Sequence, residues 1–412
     1  MSEILPTDWS PGNSIIKVIG VGGGGCNAVD YMYKQKIRGC DFIVCNTDSQ
    51  ALQKNSVPSK LQLGAGLGAG CDPTKGRNAA IEAADAIDAA IIKSGTQMLF
   101  ITAGMGGGTG TGASPVIADM AKKSGILTVA VVTLPFLNEG NESLSKAIDG
   151  IHELQKCVDS LLIINNEKLY EYYGDLLVHD AFPKADEVLA TAVRGVIEII
   201  TTAGHINVDF QDVSTMMRNS GMALMGCGHG TGENRIQDAI KGALESPLLN
   251  DFDLKTAKNV LINITVGKND HGLFMRELDS INKQIKEYTG NANNFKRGIV
   301  LDENPEVGDK ISITVIATGF KMNMLSSITD INLGNTIIID NDFVYDRNAA
   351  LSQGTELPEP PANIKIGYND SSNVRKFHFE EGQVPVLIVS DGQSISALES
   401  VTAIRRALTK EN

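Results

Sequence analysis

Two glycine-rich segments contain the residues of this sequence best suited to chemistry. Residues 20–25 and 104–112 each lie between the end of a predicted strand and the start of a predicted helix. Backbone N–H groups without side chains can approach phosphate oxygens closely, and the helix dipole adds to the attraction. The hydroxyls of Thr109 and Thr111 could donate further hydrogen bonds. Two such segments at one edge of a parallel sheet predict a cradle for a polyphosphate.

The first segment alone leaves a second interpretation open. It also matches the GxGxxG fingerprint of dinucleotide-binding folds, and Asp48 follows the second predicted strand, where a ribose-binding acid belongs. A nicotinamide-dependent oxidoreductase is therefore a rival hypothesis. The second segment argues against it, because a pyrophosphate needs one such loop and a triphosphate can use two. The chain has no obvious catalytic His or Tyr-Lys pair, and it lacks the GxxxxGK[ST] pattern of P-loop NTPases.

A third group of polar residues follows a predicted long helix. Asn207, Asp209 and Asp212 are closely spaced, and two acids three residues apart can share one face of a helical turn. Hydrolysis of a terminal phosphate requires a group that orients the attacking water, and no candidate lies beside the glycine segments in sequence. A turn capped by acidic residues is the alternative interpretation.

The elements that position these residues follow an α/β pattern. Continuous apolar strands joined by helices indicate a parallel sheet buried on both faces. Strands are predicted at residues 15–21, 42–45, 98–103, 127–134 and 161–164. A helix is predicted after the first glycine turn, ending at about residue 33, and further helices are predicted at 77–93 and 115–124. A long apolar helix at 186–202 precedes a second α/β region, with strands at 259–266 and 311–318 and helices at 234–245 and 273–288.

These patterns and the composition predict the organisation of the chain. We expect a first domain at 14–180, a central helix at 181–203, a second α/β domain at 204–320 and a partly disordered linker and tail at 321–412. A net charge of −13 argues against nucleic-acid binding, which requires clustered Lys and Arg. No signal peptide or apolar membrane span is predicted. Six scattered cysteines indicate reduced thiols in a cytoplasmic protein.

At the second glycine segment, GGGTGTG at 106–112, the chain resembles the tubulin/FtsZ family of GTPases. The resemblance extends over residues 14–320. It implies a tubulin-like parallel-sheet GTPase domain joined by a central helix to a second α/β domain, with GTP/GDP and Mg²⁺ as ligands. The segments that carry it are NTDSQAL at 46–52, GLGAG at 66–70, NVDFQD at 207–212 and SPLL at 246–249.

The resemblance also assigns the phosphate contacts. Residues 22–25 would meet the α- and β-phosphates and residues 106–110 the β- and γ-phosphates. A third loop at 68–70 would lie near the γ-phosphate. The residues implied on this side of the nucleotide are Gly22, Gly23, Gly24, Gly25, Asn27, Ala69, Gly70, Gly106, Gly107, Gly108, Thr109 and Gly110.

Four further residues are implied at the ribose and the base. Glu139 matches the acid that bonds the ribose, and Asn166 lies in the loop by the ribose and base. Phe182 resembles the ring packed on guanine. Asp186 resembles the carboxylate that accepts from guanine N1–H and N2–H, an arrangement that would reject adenine. Read locally, Asp186 could also be a helix-capping acid.

The family supplies the water-orienting group from the neighbouring subunit. By this resemblance Asp209 and Asp212 position and polarise the water, and Asn207 holds loop and nucleotide. Hydrolysis would then depend on head-to-tail assembly into protofilaments that scaffold the division ring. The implied partners are further copies of the chain, with membrane-tethering and division-regulating proteins at the C-terminal tail. Neither nucleic acid nor direct membrane insertion is implied, and the implied location is the cytoplasm at the division site.

The chain departs from the family at three places. Ser143 stands where the pattern EGxxR has arginine, and Lys146, one helical turn on, is the nearest cation. A polymerising paralogue with weak or no GTPase activity is therefore the alternative function. Cys26 occupies a position that usually holds a small residue. The tail lacks the short Pro-apolar-Leu-Arg peptide that binds membrane tethers.

Overall fold

A computed structural model describes residues 14–167, 178–201, 208–244, 254–269, 272–290, 292, 294–302 and 307–320, without the side chains of residues 137, 178–183, 185 and 320. These residues all belong to one compact unit. The predictions for Asn207, for the Phe182 side chain and for residues 246–249 and 321–412 lie outside the described part of the chain.

The described residues form one sheet of ten strands. They are β1 (Ile16–Val21), β2 (Asp41–Asn46), β3 (Lys60–Gln62), β4 (Met98–Gly104), β5 (Leu127–Leu134), β6 (Ser160–Asn165), β7 (Gly221–Gly230), β8 (Asn259–Gly267), β9 (Asn294–Asp302) and β10 (Ile311–Phe320). Their order is β3-β2-β1-β4-β5-β6-β7-β10-β8-β9. Within this sheet only β10 runs against its neighbours, so the other nine strands share one direction.

Helices connect these strands, as the α/β pattern predicts. They are α1 (Gly22–Lys34), α2 (Ser49–Lys54), α3 (Pro73–Glu82), α4 (Ala84–Ile87), α5 (Gly108–Lys123), α6 (Asn141–Cys157), α7 (Val178–Thr201), α8 (Phe210–Met217), α9 (Arg235–Leu244) and α10 (Met275–Thr289). Among the described helices, none has the length and apolar character to cross a bilayer. The α/β class and the central helix, α7, are confirmed, and the domain bounds stay a prediction.

The predicted start of the helix at 115–124 is wrong. α5 begins at Gly108, so much of the second glycine segment is helical and Pro115 lies inside the helix. Close packing outweighs the low helix propensity of glycine here, since a methyl group at Gly112 would lie 1.9 Å from the carbonyl oxygen of Pro73. The predicted helix at 77–93 is also wrong as a single element. It divides into α3, α4 and a π-helical turn at Asp88–Ile92.

Several elements were not predicted, and β7 shows why. It carries four glycines in ten residues, a composition that is unfavourable for a strand. The glycines of β7 allow α9 to pack closely against the strand. A methyl group at Gly228 would lie 2.0 Å from the carbonyl oxygen of Ala239 in α9, so a larger residue would not fit there. The other unpredicted elements are α2, α6, α8, β3 and β9.

The main core lies between the sheet and helices α1, α7 and α8. Phe100 of β4, Met32 of α1, Val193 of α7 and Met217 of α8 belong to one apolar cluster, and each is at least 98% buried. Burial of a large apolar side chain contributes about 1.5–3 kcal/mol. This core therefore holds the long helix α7 and the short helix α8 in place against the sheet.

Substitution of Gly25 tests whether α1 packs closely against β4. A methyl group at Gly25 would lie 2.1 Å from the Thr102 carbonyl oxygen, whereas one at Gly23 would meet nothing within 4 Å. Gly25→Ala should therefore lower the free energy of unfolding by about 3 kcal/mol. Gly23→Ala, the matched control, should leave it unchanged or raise it by up to ~1 kcal/mol. Urea denaturation measures both, and equal stability of the two variants would contradict this packing.

Candidate functional site

The two glycine segments meet at one edge of the sheet. β1 and β4 are adjacent and parallel, so their carboxyl ends, Val21 and Gly104, lie side by side. A methyl group at Gly22 would lie 2.8 Å from the backbone nitrogen of Gly110. The first turns of α1 and α5 are thus packed together, with their free N–H groups at the same edge. We call the carboxyl ends of β1 to β6, with the residues that follow them, the glycine edge.

A third segment, residues 66–72, joins this edge just before α3. A methyl group at Gly108 would lie 2.7 Å from Cβ of Ala69 and 2.8 Å from the backbone nitrogen of Asp72. Gly23 and Gly107 are exposed, and a methyl group on either would meet nothing within 4 Å. The three predicted phosphate-binding segments are therefore together, with open space over part of their backbone. Such an arrangement can receive a polyphosphate.

Both threonine hydroxyls have partners within the protein. Thr109 shares a 2.6 Å hydrogen bond with the hydroxyl of Thr47, which follows β2. Thr111 is buried, and its Oγ1 accepts from the Gly106 N–H at 2.9 Å. Donation from either hydroxyl to a phosphate stays a prediction. Thr111 closes the turn between β4 and α5, so it shapes the cradle from behind.

Two of the predicted ribose and base residues also lie at the glycine edge. Glu139 follows β5, and its Oε1 accepts a hydrogen bond from the Phe136 N–H at 2.9 Å. Asn166 follows β6, and its buried Oδ1 has no partner among the described residues. A buried acceptor without a donor costs about 1–3 kcal/mol. A ligand that donates to Asn166 would remove this cost.

Asp186 lies in α7, and its carboxyl group has an unusual environment. Burial raises its pKa to about 6, and the carboxylate of Asp30 on α1 adds to the shift by repulsion. An ionised carboxylate only accepts hydrogen bonds, which suits the two N–H donors of guanine. Asn27, on the second turn of α1, is exposed.

Ser143 borders the cradle at the place where the family pattern has arginine. A methyl group at Gly106 would lie 2.5 Å from Oγ of Ser143, which is in the first turn of α6. Lys146, one turn further on, donates to the Cys71 carbonyl oxygen at 3.0 Å and pairs with Glu142 at 2.7 Å. Lys146 therefore ties the third segment to α6, and its charge is already shared with a carboxylate.

Cys26 fits the start of α1 as a small buried residue. Its thiol contacts the carbonyl oxygens of Gly20 at 3.5 Å and Cys45 at 3.4 Å. Burial raises the pKa of the Cys26 thiol to about 12, so the group stays neutral. All six cysteines have free thiols, as the sequence predicts.

The predicted acids occupy a different part of the fold. Asp209 is the N-cap of α8, where its Oδ1 accepts from the backbone N–H of Asp212 at 2.7 Å. The cap that the alternative interpretation predicts is thus present at Asp209, and the catalytic role of this residue stays a prediction. The carboxylate of Asp212 is not used in the cap. It pairs with Lys296 of β9, with 2.7 Å between Oδ1 and Nζ.

Helix α8 lies by the amino ends of the strands, opposite the glycine edge. Asn259, the first residue of β8, donates to the Met216 carbonyl oxygen at 3.0 Å. Gly221 after α8 donates to the carbonyl oxygen of Asp159, which immediately precedes β6. Central strands of six to eight residues, at about 3.3 Å per residue, put roughly 20 Å between the two edges. The structure therefore does not bring Asp209 and Asp212 to the cradle of their own chain.

Comparisons with known proteins identify the family of this chain. The model of the tubulin/FtsZ family GTPase domain matches residues 15–174, and that of the FtsZ family C-terminal domain matches residues 221–321. The chain is 48% identical to the cell division protein FtsZ of Pseudomonas putida over 317 residues, 76% of this chain and 78% of that protein. The chain belongs to the FtsZ family. Identity to the Porphyromonas gingivalis FtsZ is 46% over 341 residues, 81% of this chain and 73% of that protein.

Solved structures place the fold in the same family. The FtsZ dimer of M. jannaschii matches with a TM-score of 0.67 and 40% identity, covering 74% of this chain and 88% of that one. The chain is thus a GTPase of the cell-division class and binds GTP and GDP. This family membership excludes the nicotinamide-dependent oxidoreductase as the reading of the glycine segments.

Two residues of the site were missed by sequence reasoning. Thr47 stands in the NTDSQAL segment that carries the family resemblance, so a signal for it was present. Lys296 lies in a strand without any motif, far along the chain from Asp212, and only the folded structure brings the two together.

The raised pKa of Asp186 predicts pH-dependent nucleotide binding. If Asp186 holds the base as predicted, guanine N–H groups stabilise its ionised form, and binding below the pKa of about 6 releases a proton from Asp186. The affinity for GDP should be constant above about pH 7 and should fall by up to about tenfold per pH unit below the pKa. Asp30→Asn removes one cause of the raised pKa of Asp186. In this variant the affinity for GDP should therefore begin to fall at a lower pH.

Calorimetric titration with GDP across this pH range measures the effect, with Asp186→Asn as the control. Asparagine does not titrate, so that variant should bind more weakly and show only the pH dependence of the nucleotide itself. If wild type and Asp186→Asn have parallel profiles, Asp186 does not hold the base.

Proposed function

We propose that this chain hydrolyses GTP at the junction between two copies stacked head to tail in a protofilament. The glycine edge of one copy binds the nucleotide. The N-cap and first turn of α8 in the next copy, which we call the acidic turn, bring Asp209 and Asp212 to the γ-phosphate. Asn207 would hold loop and nucleotide. The carboxylates position and polarise the water that attacks in line with the leaving oxygen.

This proposal rests on the distance between the phosphate cradle and the acids Asp209 and Asp212 within one chain. The cradle and the acids lie at opposite edges of one sheet, separated by roughly 20 Å of strand. A head-to-tail stack brings opposite edges of successive copies together without any change of fold. A site completed within one chain would instead require the acids at the glycine edge.

Surface features at the glycine edge support contact with a second copy. Leu67, in the third segment, is 93% exposed, the highest value among the exposed large apolar side chains of the described residues. Burial of such a side chain contributes about 1.5–3 kcal/mol. Because Leu67 lies two residues from Ala69, contact there would also cover the cradle.

Mg²⁺ fits this site as a partner of the triphosphate. The described residues contain no group of three His, Cys, Asp or Glu side chains that could hold a metal by themselves. Mg²⁺ keeps several waters and often takes phosphate oxygens with few protein ligands. The buried hydroxyls of Thr47 and Thr109 bond each other beside the cradle, so the metal would rely mainly on phosphate and water oxygens. Bound there, Mg²⁺ would neutralise charge on the β- and γ-phosphates.

We also propose that the protofilaments scaffold the division ring, and that residues 321–412 connect them to membrane tethers and regulators. The cell-division names of the relatives support the scaffold role. The alternative, a polymerising paralogue with little GTPase activity, draws on one observation. Ser143 puts no positive charge beside Gly106, at the border of the cradle.

Asp212→Ala tests the shared site. The variant should bind GTP as wild type does, because Asp212 is remote from the cradle of its own chain. Its turnover should fall by about 100-fold or more, as when a group acting only in the transition state is removed. Mixed into wild type, it should depress phosphate release more than dilution explains, since each variant turn inactivates the nucleotide of a neighbour.

Phosphate release measured against protein concentration checks this prediction. Wild-type activity per molecule should appear only above a threshold concentration. Asp279→Ala is the matched control, because Asp279 is an exposed acid that also forms an ion pair of 2.7 Å, with Lys283 one helical turn along α10. A wild-type rate per molecule that stays constant down to dilute monomer, or loss of nucleotide by Asp212→Ala, would contradict the shared site.

Ser143→Arg tests the missing charge. A guanidinium beside Gly106 would stabilise charge that develops on the γ-phosphate, and such arginines contribute on the order of 10³-fold in the best cases. We expect a smaller gain, about tenfold, with little change in GTP affinity. Lys146→Ala should lower turnover if Lys146 already supplies the charge. An unchanged rate in both variants would remove the basis for the weakly hydrolysing alternative.

A further inference from the structure

Lys296 contacts the acid that the proposed function places at the γ-phosphate. Its Nζ lies 2.7 Å from Oδ1 of Asp212. Lys296 is the third residue of β9, the last strand of the sheet, which pairs only with β8. The side chains of Lys296 and Asp212 are 49% and 30% exposed. The pair therefore fastens the acidic turn to the sheet and remains accessible to a second molecule.

Stability alone does not account for this pair. An exposed ion pair contributes about 0–1 kcal/mol to folding. Lys283 and Asp279 form a pair of that ordinary kind on α10, one helical turn apart and with the same 2.7 Å distance. The Lys296–Asp212 pair instead joins two distant segments of the chain, and one of its members is a candidate catalytic acid.

Further positive charge lies beside Lys296. A cavity of about 530 Å³ is lined by Lys286 and Arg297 as well as by Lys296. Nε of Arg297 is buried and has no partner among the described residues. This cluster raises the positive potential next to the acidic turn, at the face that would meet the nucleotide of another copy.

The proposed junction requires such a charge. The carboxylates of Asp209 and Asp212 repel the oxygens of a triphosphate, and the repulsion becomes stronger when the junction excludes water. On the nucleotide side Ser143 is neutral, and Lys146 is paired with Glu142. The cation in direct contact with Asp212 is Lys296, on the same subunit as the acid.

We propose that Lys296 is a positioning residue for GTP hydrolysis that acts across the junction. It holds Oδ1 of Asp212 and leaves Oδ2 to accept a hydrogen bond from the attacking water. Its ammonium group offsets the repulsion between the carboxylate and the phosphates of the neighbouring subunit. This inference rests on the shared site proposed above, and it assigns to the acidic turn a residue that lies outside its sequence motif.

Lys296→Met removes the charge and keeps most of the side-chain volume. With GTP and Mg²⁺, turnover per sedimented subunit should fall by about tenfold, as expected for loss of a charge-assisted hydrogen bond. GTP affinity of the unassembled protein should not change. Lys296→Arg should retain most of the turnover, because it keeps the charge and the donors. Lys283→Met, which breaks the ordinary pair on α10, should behave as wild type.

The protein concentration at which sedimentation begins reports how strongly the subunits associate. It therefore distinguishes a role of Lys296 in positioning Asp212 from a role only in the contact between subunits. A Lys296→Met variant that assembles at a higher threshold but hydrolyses normally per sedimented subunit would overturn the proposal, as would an unchanged rate. If the variant does not assemble alone, copolymers with excess wild type provide the readout. Their turnover should fall with the fraction of variant, and a constant turnover would overturn the proposal.

Asp212→Ala, assayed in parallel, shows whether a failure concerns only the role of Lys296 or the shared site itself. If Asp212→Ala is inactive and Lys296→Met is normal, only the role of Lys296 is wrong. If Asp212→Ala retains full turnover, the shared site itself is wrong, and the role of Lys296 is wrong with it.

Discussion

Nine strands of the sheet run in one direction, and the placement of every candidate site residue depends on this constraint. Carboxyl ends collect at one edge, where α1 and α5 begin with glycine so closely packed that a methyl group at Gly22 would meet the backbone of Gly110. Amino ends collect at the other edge, where α8 presents Asp212. Because strand length separates the edges, phosphate binding and the candidate acids are divided between the two ends of one subunit.

Helix α7 connects these two ends. Its 24 residues span about 36 Å at 1.5 Å per residue, enough to reach from one edge of the sheet to the other. Asp186 lies in its first half, and Thr201 at its end contacts Gly39, just before β2. Val193 in between is fully buried in the main core. Packing along the helix thus holds Asp186 at a fixed distance from the amino-end edge of the sheet.

The charges of the site follow from the same division. The glycine edge offers backbone N–H groups, which attract phosphate without adding formal charge. At the opposite edge Lys296 pairs with Asp212, and Lys286 and Arg297 line the adjoining cavity. Ser143 supplies no positive charge at the cradle. In the proposed junction, assembly would bring these cations close to the phosphates held by the neighbouring subunit. Chemistry would then be coupled to assembly through electrostatics as well as through the position of the water.

The sequence by itself determined the α/β class, the central helix and both glycine segments, because strand hydrophobicity and glycine spacing are local patterns. It also identified Asp209 and Asp212 as a closely spaced pair. Only the tertiary structure decided that Asp209 caps α8, that Thr111 is buried behind the cradle and that Lys296 holds Asp212. Those roles depend on contacts between distant segments. Strand direction and close backbone packing set such contacts, and neither is encoded in the spacing of residues along the chain.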